Sequence, residues 1–593
     1  CYGDDDVQDG TCDGTSKDLD EVKYLWSAAE WLAKISDADI ILNRTSVSSP
    51  VQTEYISTTK KRYIFTWNDL DNDGIVDTNE TLPFVPDFAK SGTEESPVLT
   101  LGGTALSASG GRGPVTLDFG HAGQITAEAA TDINNLAKWI RGLDQAGQRT
   151  REVPTPSNFV ISGSPATITW RLGDIVHSTP MMVAGPAESY HLLYRDSSYG
   201  DFVAHYGNRR SVLYFGGNDG MLHALNAGFY NPALHKFCLT EDCDNESSAP
   251  ELGAELWAYV PYNLLPHLQC LSETSYEHKY YVDLRPRIFD VRIWPTDDTT
   301  HINGWGTILV GGMRLGGATV TANALDLNDL TEDYPSDTRK FISSYFILDI
   351  TDPENPPTLL AEMTSTGAEA DLGYTTVIST AVPMKDVDTS AWYLLFGSGP
   401  TELDGTSTQN AKIAVLPLDW LVDTTPKPFR IPDALPTFLS DEGSVFTLSD
   451  ANSFISDPIT VDFDIETEQD YKADVVYFGT VQGGWYDGSY NPPAGSGWGG
   501  KLYRLVTHKK DYEGNEVASL PSEWSALVSP NPCPLIDVQQ PVTAAPAVGS
   551  DRDGNYWVYF GTGRFLDPED KTDASSNAQI GRASCRERVF RTV

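Results

Sequence analysis

The stretch V-L-Y-F-G-G-N-D-G (residues 212–220) is a short β-branched and aromatic run stopped by glycine, and its form recurs four more times. The others are I-L-V-G-G-M-R (308–314), Y-L-L-F-G-S-G (393–399), V-V-Y-F-G-T-V (475–481) and W-V-Y-F-G-T-G (557–563). Such runs read as strands. The residue before the first glycine falls at Phe215, Val310, Phe396, Phe478 and Phe560, at intervals of 95, 86, 82 and 82 residues. Several follow a Ser/Thr/Ala-x-Pro start, as in S-T-P-M-M-V at 178 and T-A-A-P-A-V at 543. Companion strands lie between them: E-L-W-A-Y-V-P, Y-F-I-L-D-I, K-I-A-V-L-P-L and K-L-Y-R-L. Radially stacked sheets need such a unit, with an innermost strand apolar on both faces and small residues where strands crowd the axis. The period exceeds the roughly 40–45 residues of a WD40 blade. Each repeat therefore carries long insertions or spans more than one blade. A β-sandwich would show turn signals about every 8–12 residues without these long-period markers.

Upstream, residues 1 to about 165 are mixed α/β. Apolar Val22, Leu25, Trp26, Ala29, Leu32 and Ala33 recur at helical spacing and predict a helix over Glu21–Ile35. The strand-like K-R-Y-I-F-T-W follows, then a Gly/Ser/Thr-rich stretch (Leu101–Arg112) that reads as a loop or irregular strand pair, and a second helix around Asp132–Leu143.

The chain has 593 residues, with 41 Lys+Arg against 83 Asp+Glu, a net charge of -42. That excess of acid repels phosphate backbones and anionic lipid, which argues against nucleic-acid partners. It suits a well-solvated protein that binds divalent cations. No apolar run approaches the roughly 20 residues of a membrane span. From Gln579 the sequence turns abruptly basic and resembles a translated sequencing adapter, so 579–593 reads as a non-native tail. Setting it aside leaves six cysteines: Cys1, Cys12, Cys238, Cys243, Cys270 and Cys533. Cys238 and Cys243 share one acidic loop where a local bridge can form. An oxidising compartment is the reading they favour over unrelated free thiols.

The sharpest chemical motif is D-L-D-N-D-G-I-V-D-T-N-E, Asp69 to Glu80. Aligned with a twelve-residue EF-hand loop, Asp69, Asp71, Asp73, Asp77 and Glu80 take positions 1, 3, 5, 9 and 12. Gly74 makes the turn at position 6, and Ile75 offers its carbonyl at position 7. Without an ion these carboxylates repel one another, so calcium is the expected occupant. The flanks are a strand and a proline-containing stretch rather than two helices. A second acidic run, Val461–Asp474, offers Asp462, Asp464, Glu466, Asp470 and Asp474 as a further calcium set, without the glycine. Asp4–Asp13 is a third and weaker acidic run. No GxSxG, HExxH, Walker or dinucleotide-binding pattern stands in context, so no catalytic residues are assigned. His177 and His223, beside strand runs, read as core or turn histidines.

Together, R-L-G-D-I-V-H-S-T-P (171–180), Y-F-G-G-N-D-G-M-L-H-A-L-N-A-G-F-Y (214–230), E-L-W-A-Y-V-P-Y-N-L-L-P-H-L, Y-Y-V-D-L-R-P and G-W-G-T-I-L-V-G-G-M-R-L-G-G resemble, in order, the propeller of the PilC/PilY family associated with type IV pili. The resemblance covers about 170–570. It implies a mainly β chain: a β-propeller of about seven blades over 166–578, its last part truncated, preceded by the α/β segment 1–165. It further implies an exported, non-enzymatic factor at the bacterial cell surface or pilus tip, serving pilus assembly, adhesion and twitching motility. Its partners would be minor pilins and a host or surface ligand. The family's regulatory calcium loop matches Asp462–Asp474, which lacks the usual glycine and carries extra residues. The rival readings are a calcium-dependent quinoprotein-type dehydrogenase, for which no cofactor-clamping Trp or vicinal cysteine pair can be identified, and a glycan-binding propeller.

Overall fold

The structure is a computed structural model describing residues 24–42, 61–67, 80–85, 130–323, 338–363, 372–385, 390–422, 444–463, 470–483, 498–510, 520–552 and 555–566, with a few shorter stretches. The 579–593 tail and the Asp4–Asp13 run lie outside the described residues.

Each recurrent run lies in a separate sheet and pairs antiparallel with its neighbours. The first sheet joins Met181–Val183, Ser211–Gly216, Leu222–Asn231 and Glu255–Val260 in that order. The second joins Arg287–Arg292, Trp305–Gly312, Tyr345–Asp349 and Thr358–Met363. The third joins Thr380–Lys385, Ser390–Gly397, Lys412–Pro417 and Ser444–Thr447. In the fourth, Val475–Gly483 pairs on one side with Ser453–Ile455 and Ile459–Val461, and on the other with Lys501–Val506, which meets Cys533–Asp537. A fifth unit is the hairpin of Ala547–Ser550 and Tyr556–Tyr559. The long period thus reflects one sheet per repeat with insertions.

Strand alternation ties the sheets together. Successive side chains point to opposite faces, so each marker strand feeds two cores. Leu309 packs with Tyr214 and Ala258 of the first sheet, while Ile308 and Val310 pack with Leu394 and Phe396 of the third. Tyr393 and Leu395 join Val476 and Phe478 of the fourth. Tyr477 turns to Val558 and Phe560. The sheets therefore share cores face to face in chain order.

One expectation changes here. The marker strand, apolar on both faces, is the second strand of each sheet. The first strand, such as Met181–Val183, is only partly buried. The second strand packs against two neighbouring sheets, whereas the approach to the first lines a cavity.

The upstream segment is joined to the first sheet. Ile64–Trp67 pairs in parallel with Glu255–Val260 and antiparallel with Thr81–Pro83. A buried charge network fixes it: Arg62 donates from Nε and Nη2 to Glu255 at 2.6 and 2.7 Å, and from Nη1 to the Arg141 carbonyl at 2.6 Å. His223 bridges Glu255 (2.9 Å) and Asp219 (3.1 Å). Arg141 donates to the carbonyls of Phe84, Arg62, Leu42 and Ile40. The second predicted helix is present as Ala130–Arg141. The first is shorter than its periodicity predicts, Ala28–Lys34, because Ser27 caps it by accepting from the Glu30 N–H. Leu25 is left 66% exposed outside it. Cys238 and Cys243 form the local disulfide, while Cys270 and Cys533 have no disulfide partner among the described residues. No helix among the described residues is long and apolar enough to cross a membrane.

Candidate functional site

The approach to the first strand of the first and fourth sheets carries the same device. Ser178, two residues before Pro180, accepts from the backbone N–H of Gly216 at 2.7 Å. Ser456, two residues before Pro458, accepts from that of Gly479 at 2.8 Å. The Ser-x-Pro start is thus tied to the Phe-Gly end of the second strand, which satisfies a buried donor. Glycine is needed there because the neighbouring chain crosses closely. A Cβ on Gly216 would overlap the backbone oxygen of Val282, and one on Gly479 would overlap Val542.

These approaches converge on a cavity of about 290 Å³. His177, Arg285, Ile378, Asp457 and Thr543, one from the start of each sheet in turn, line it together with Arg314. Asp283 is buried beneath and accepts from the His177 backbone N–H (2.9 Å) and from Nδ1–H (2.6 Å). With that proton committed to Asp283, the Arg314 Nη1 lying 3.2 Å from the same nitrogen meets no lone pair. The distance from Arg314 to Asp283 is 3.7 Å, an ion pair without a hydrogen bond. Arg285 places Nη2 at 3.5 Å from the Met181 sulfur, and its buried Nε has no partner among the described residues. Asp457 accepts from the Ile378 N–H at 2.7 Å. Burial pushes its carboxyl up to about 6, against the pull of Arg285, Arg314 and Arg287.

The described calcium candidates, Glu80, Asp462, Asp470 and Asp474, are not among the residues that line this cavity. Of the first loop, Asp69, Asp71, Asp73, Ile75 and Asp77 lie outside the described residues. Glu80 is buried and accepts from Trp67 Nε1 at 2.9 Å. The paired strands Ile64–Trp67 and Thr81–Pro83 hold the two flanks side by side. Of the second run, Asp464 and Glu466 lie outside the described residues. Asp462 accepts from the Tyr194 hydroxyl at 2.9 Å. Asp470 pairs with Lys472 at 2.9 Å. Asp474 accepts from the Phe463 N–H and lies 3.4 Å from His508 Nε2. Among the described residues no three acidic, His or Cys side chains gather as a metal site.

Sequence reading passed over the element that meets this second run. A helical insertion, Tyr190–Leu193 and Ser197–Tyr206, lies between the first two strands of the first sheet. Tyr194 stacks on Tyr471 at 3.9 Å, and Tyr471 donates to Asp196 at 3.0 Å. Closely spaced tyrosines in 190–206 were the available signal. The cavity arginines gave none, because Arg285 and Arg314 are 29 positions apart and no spacing pattern pairs them.

Residues 172–420 match the family described as the PilY1 beta-propeller domain. The chain is 25% identical over 442 residues to a type IV pilus biogenesis factor PilY1 homolog of Xylella fastidiosa, covering 73% of this chain and 26% of that protein. It is 27% identical over 255 residues to type IV pilus biogenesis factor PilY1 of Pseudomonas aeruginosa strain UCBPP-PA14, covering 42% and 16%. The factor of that name in strain PAO1 is 26% identical over 424 residues, covering 69% and 28%. The chain thus spans between 16% and 28% of these relatives' length. A solved structure of Drosophila Semaphorin 1a, extracellular domains 1-2, aligns over 60% of this chain and 73% of that one at 9% identity. Its TM-score of 0.21 is too low to carry a fold assignment. The resemblance to the PilC/PilY family read from the ordered motifs is borne out.

Proposed function

We propose that this chain acts in type IV pilus biogenesis as a non-enzymatic, calcium-binding β-propeller at the cell surface or pilus tip. In this reading the five sheets are successive blades of a propeller of about seven, arranged around the cavity. One coincidence carries it. The stretch matching the PilY1 propeller, 172–420, begins just before His177 and takes in the first two sheets and three strands of the third.

Calcium would be held by Asp69, Asp71, Asp73, the Ile75 carbonyl, Asp77 and Glu80. The donor set is all oxygen, as a hard cation requires. Trp67 Nε1 orients the closing Glu80 carboxylate, the kind of outer-shell bond that fixes a ligand. The run Asp462–Asp474 is the weaker candidate. Minor pilins are the proposed partners, with adhesion to a host or surface ligand as the outward role. Epitope-tagged full-length protein should be recovered with pili sheared from the cell surface, and should leave that fraction in a strain lacking the major pilin. Recovery that ignores the presence of pili would contradict the reading.

A further inference from the structure

We propose that the cavity where the five sheets converge is a binding site for a carboxylate carried on a short apolar body, gripped by Arg285 and Arg314. The argument starts from satisfaction. Among the described residues Arg285 Nε is buried without an acceptor, and its Nη2 reaches a thioether. A thioether is a weak acceptor, and an unmet buried donor on a cation is costly. Arg314 is little better served. Its Nη1 faces a ring nitrogen whose proton is already given to Asp283, and that carboxylate is 3.7 Å away. Two guanidinium groups therefore line one cavity without a hydrogen-bonded carboxylate, in a chain of net charge -42.

The ligand class follows from the lining. A guanidinium fork matches the two oxygens of a carboxylate. Leu284, Ile378, Phe454 and Ile455 supply apolar wall around it. The volume, about 290 Å³, is at the small end of ligand pockets. Asp457 lies on the same lining and repels a second negative charge, so the ligand's carboxylate belongs on the arginine side. A small organic acid and the free carboxyl terminus of a polypeptide share this chemistry.

Calorimetry on the full chain, with benzoate and with an N-acetylated Ala-Leu-Leu peptide as acid and as amide, tests the site. At least one acid should bind. Arg285→Gln should weaken that binding at least tenfold, and Asp457→Asn should tighten it severalfold by removing the opposing charge. Binding of the peptide acid but not its amide assigns a polypeptide terminus, while benzoate alone assigns a small acid. If Arg285→Gln does not fold, Arg314→Gln and Asp457→Asn carry the comparison. No heat from either acid, or equal binding by the wild type and the arginine variants, overturns the proposal.

Discussion

Glu255 holds two cations in the protein interior. Its carboxylate accepts from Arg62 and His223, and all three side chains are fully buried. Arg62, followed by its hydrogen bonds and by His223, holds the Glu255 carboxyl well below its ordinary range even though burial alone would raise it. His223 is displaced the other way. Burial by itself would lower it, but Asp219 and then Glu255 raise it to about 9. Glu255→Gln takes the paired carboxylate from Arg62 and leaves His223 with Asp219 alone, and should cost about 3–5 kcal/mol, read by urea unfolding. The pH dependence follows from the two directions. Because the folded imidazole titrates above its unfolded value of 6.5, its contribution is complete below that pH and is lost as pH rises through about 9. The Glu255 contribution is present above its unfolded value of 4.5 and fades as pH falls below it. Melting temperature should therefore drop between pH 6.5 and pH 9.5, and His223→Gln should flatten that drop. An equal drop in the variant would remove His223 as its cause.

At the scale of the strand, the Phe-Gly ending and the Ser-x-Pro start are two halves of one contact. Gly216→Ala would push a methyl into the Val282 backbone and should destabilise by about 1–3 kcal/mol. Gly561, with open space around it, is the control, and alanine there should fall within about 0.5 kcal/mol of wild type. Ser456→Ala strands the Gly479 N–H and should cost about 1–3 kcal/mol in the same denaturation assay. The strands were legible because their crowding demands glycine and their double-sided burial demands continuous apolar runs. Their order within the sheet was not. Apolarity on both faces marks a strand between two sheets, and that is the second strand, while the chain leading into the first strand lines the cavity. The helix starting at Ala28 was over-extended for a similar reason. Leu25 and Trp26 keep the helical spacing, but a serine hydroxyl at position 27 sets the boundary. The insertion Tyr190–Tyr206 escaped because its helices of 4 and 10 residues are held by aromatic packing across sheets rather than by a clean apolar stripe.

Over the whole molecule, the same division separates the candidate sites. The acidic loop 69–80 is contiguous, so spacing alone exposes its chemistry. The cavity is assembled from five separated approaches, and only folding brings Arg285, Arg314, His177 and Asp457 together. The loop reading predicts that calcium raises the melting temperature of the wild type, and that Asp69→Asn with Asp73→Asn removes most of that shift. A shift that survives both substitutions would move the site elsewhere. The central claim, a role in pilus biogenesis, is tested most directly by deleting the gene in its own host, counting surface pili and restoring the full-length copy. The account predicts loss of surface pili and of twitching, both recovered on complementation. Normal piliation and twitching in the deletion strain would contradict it.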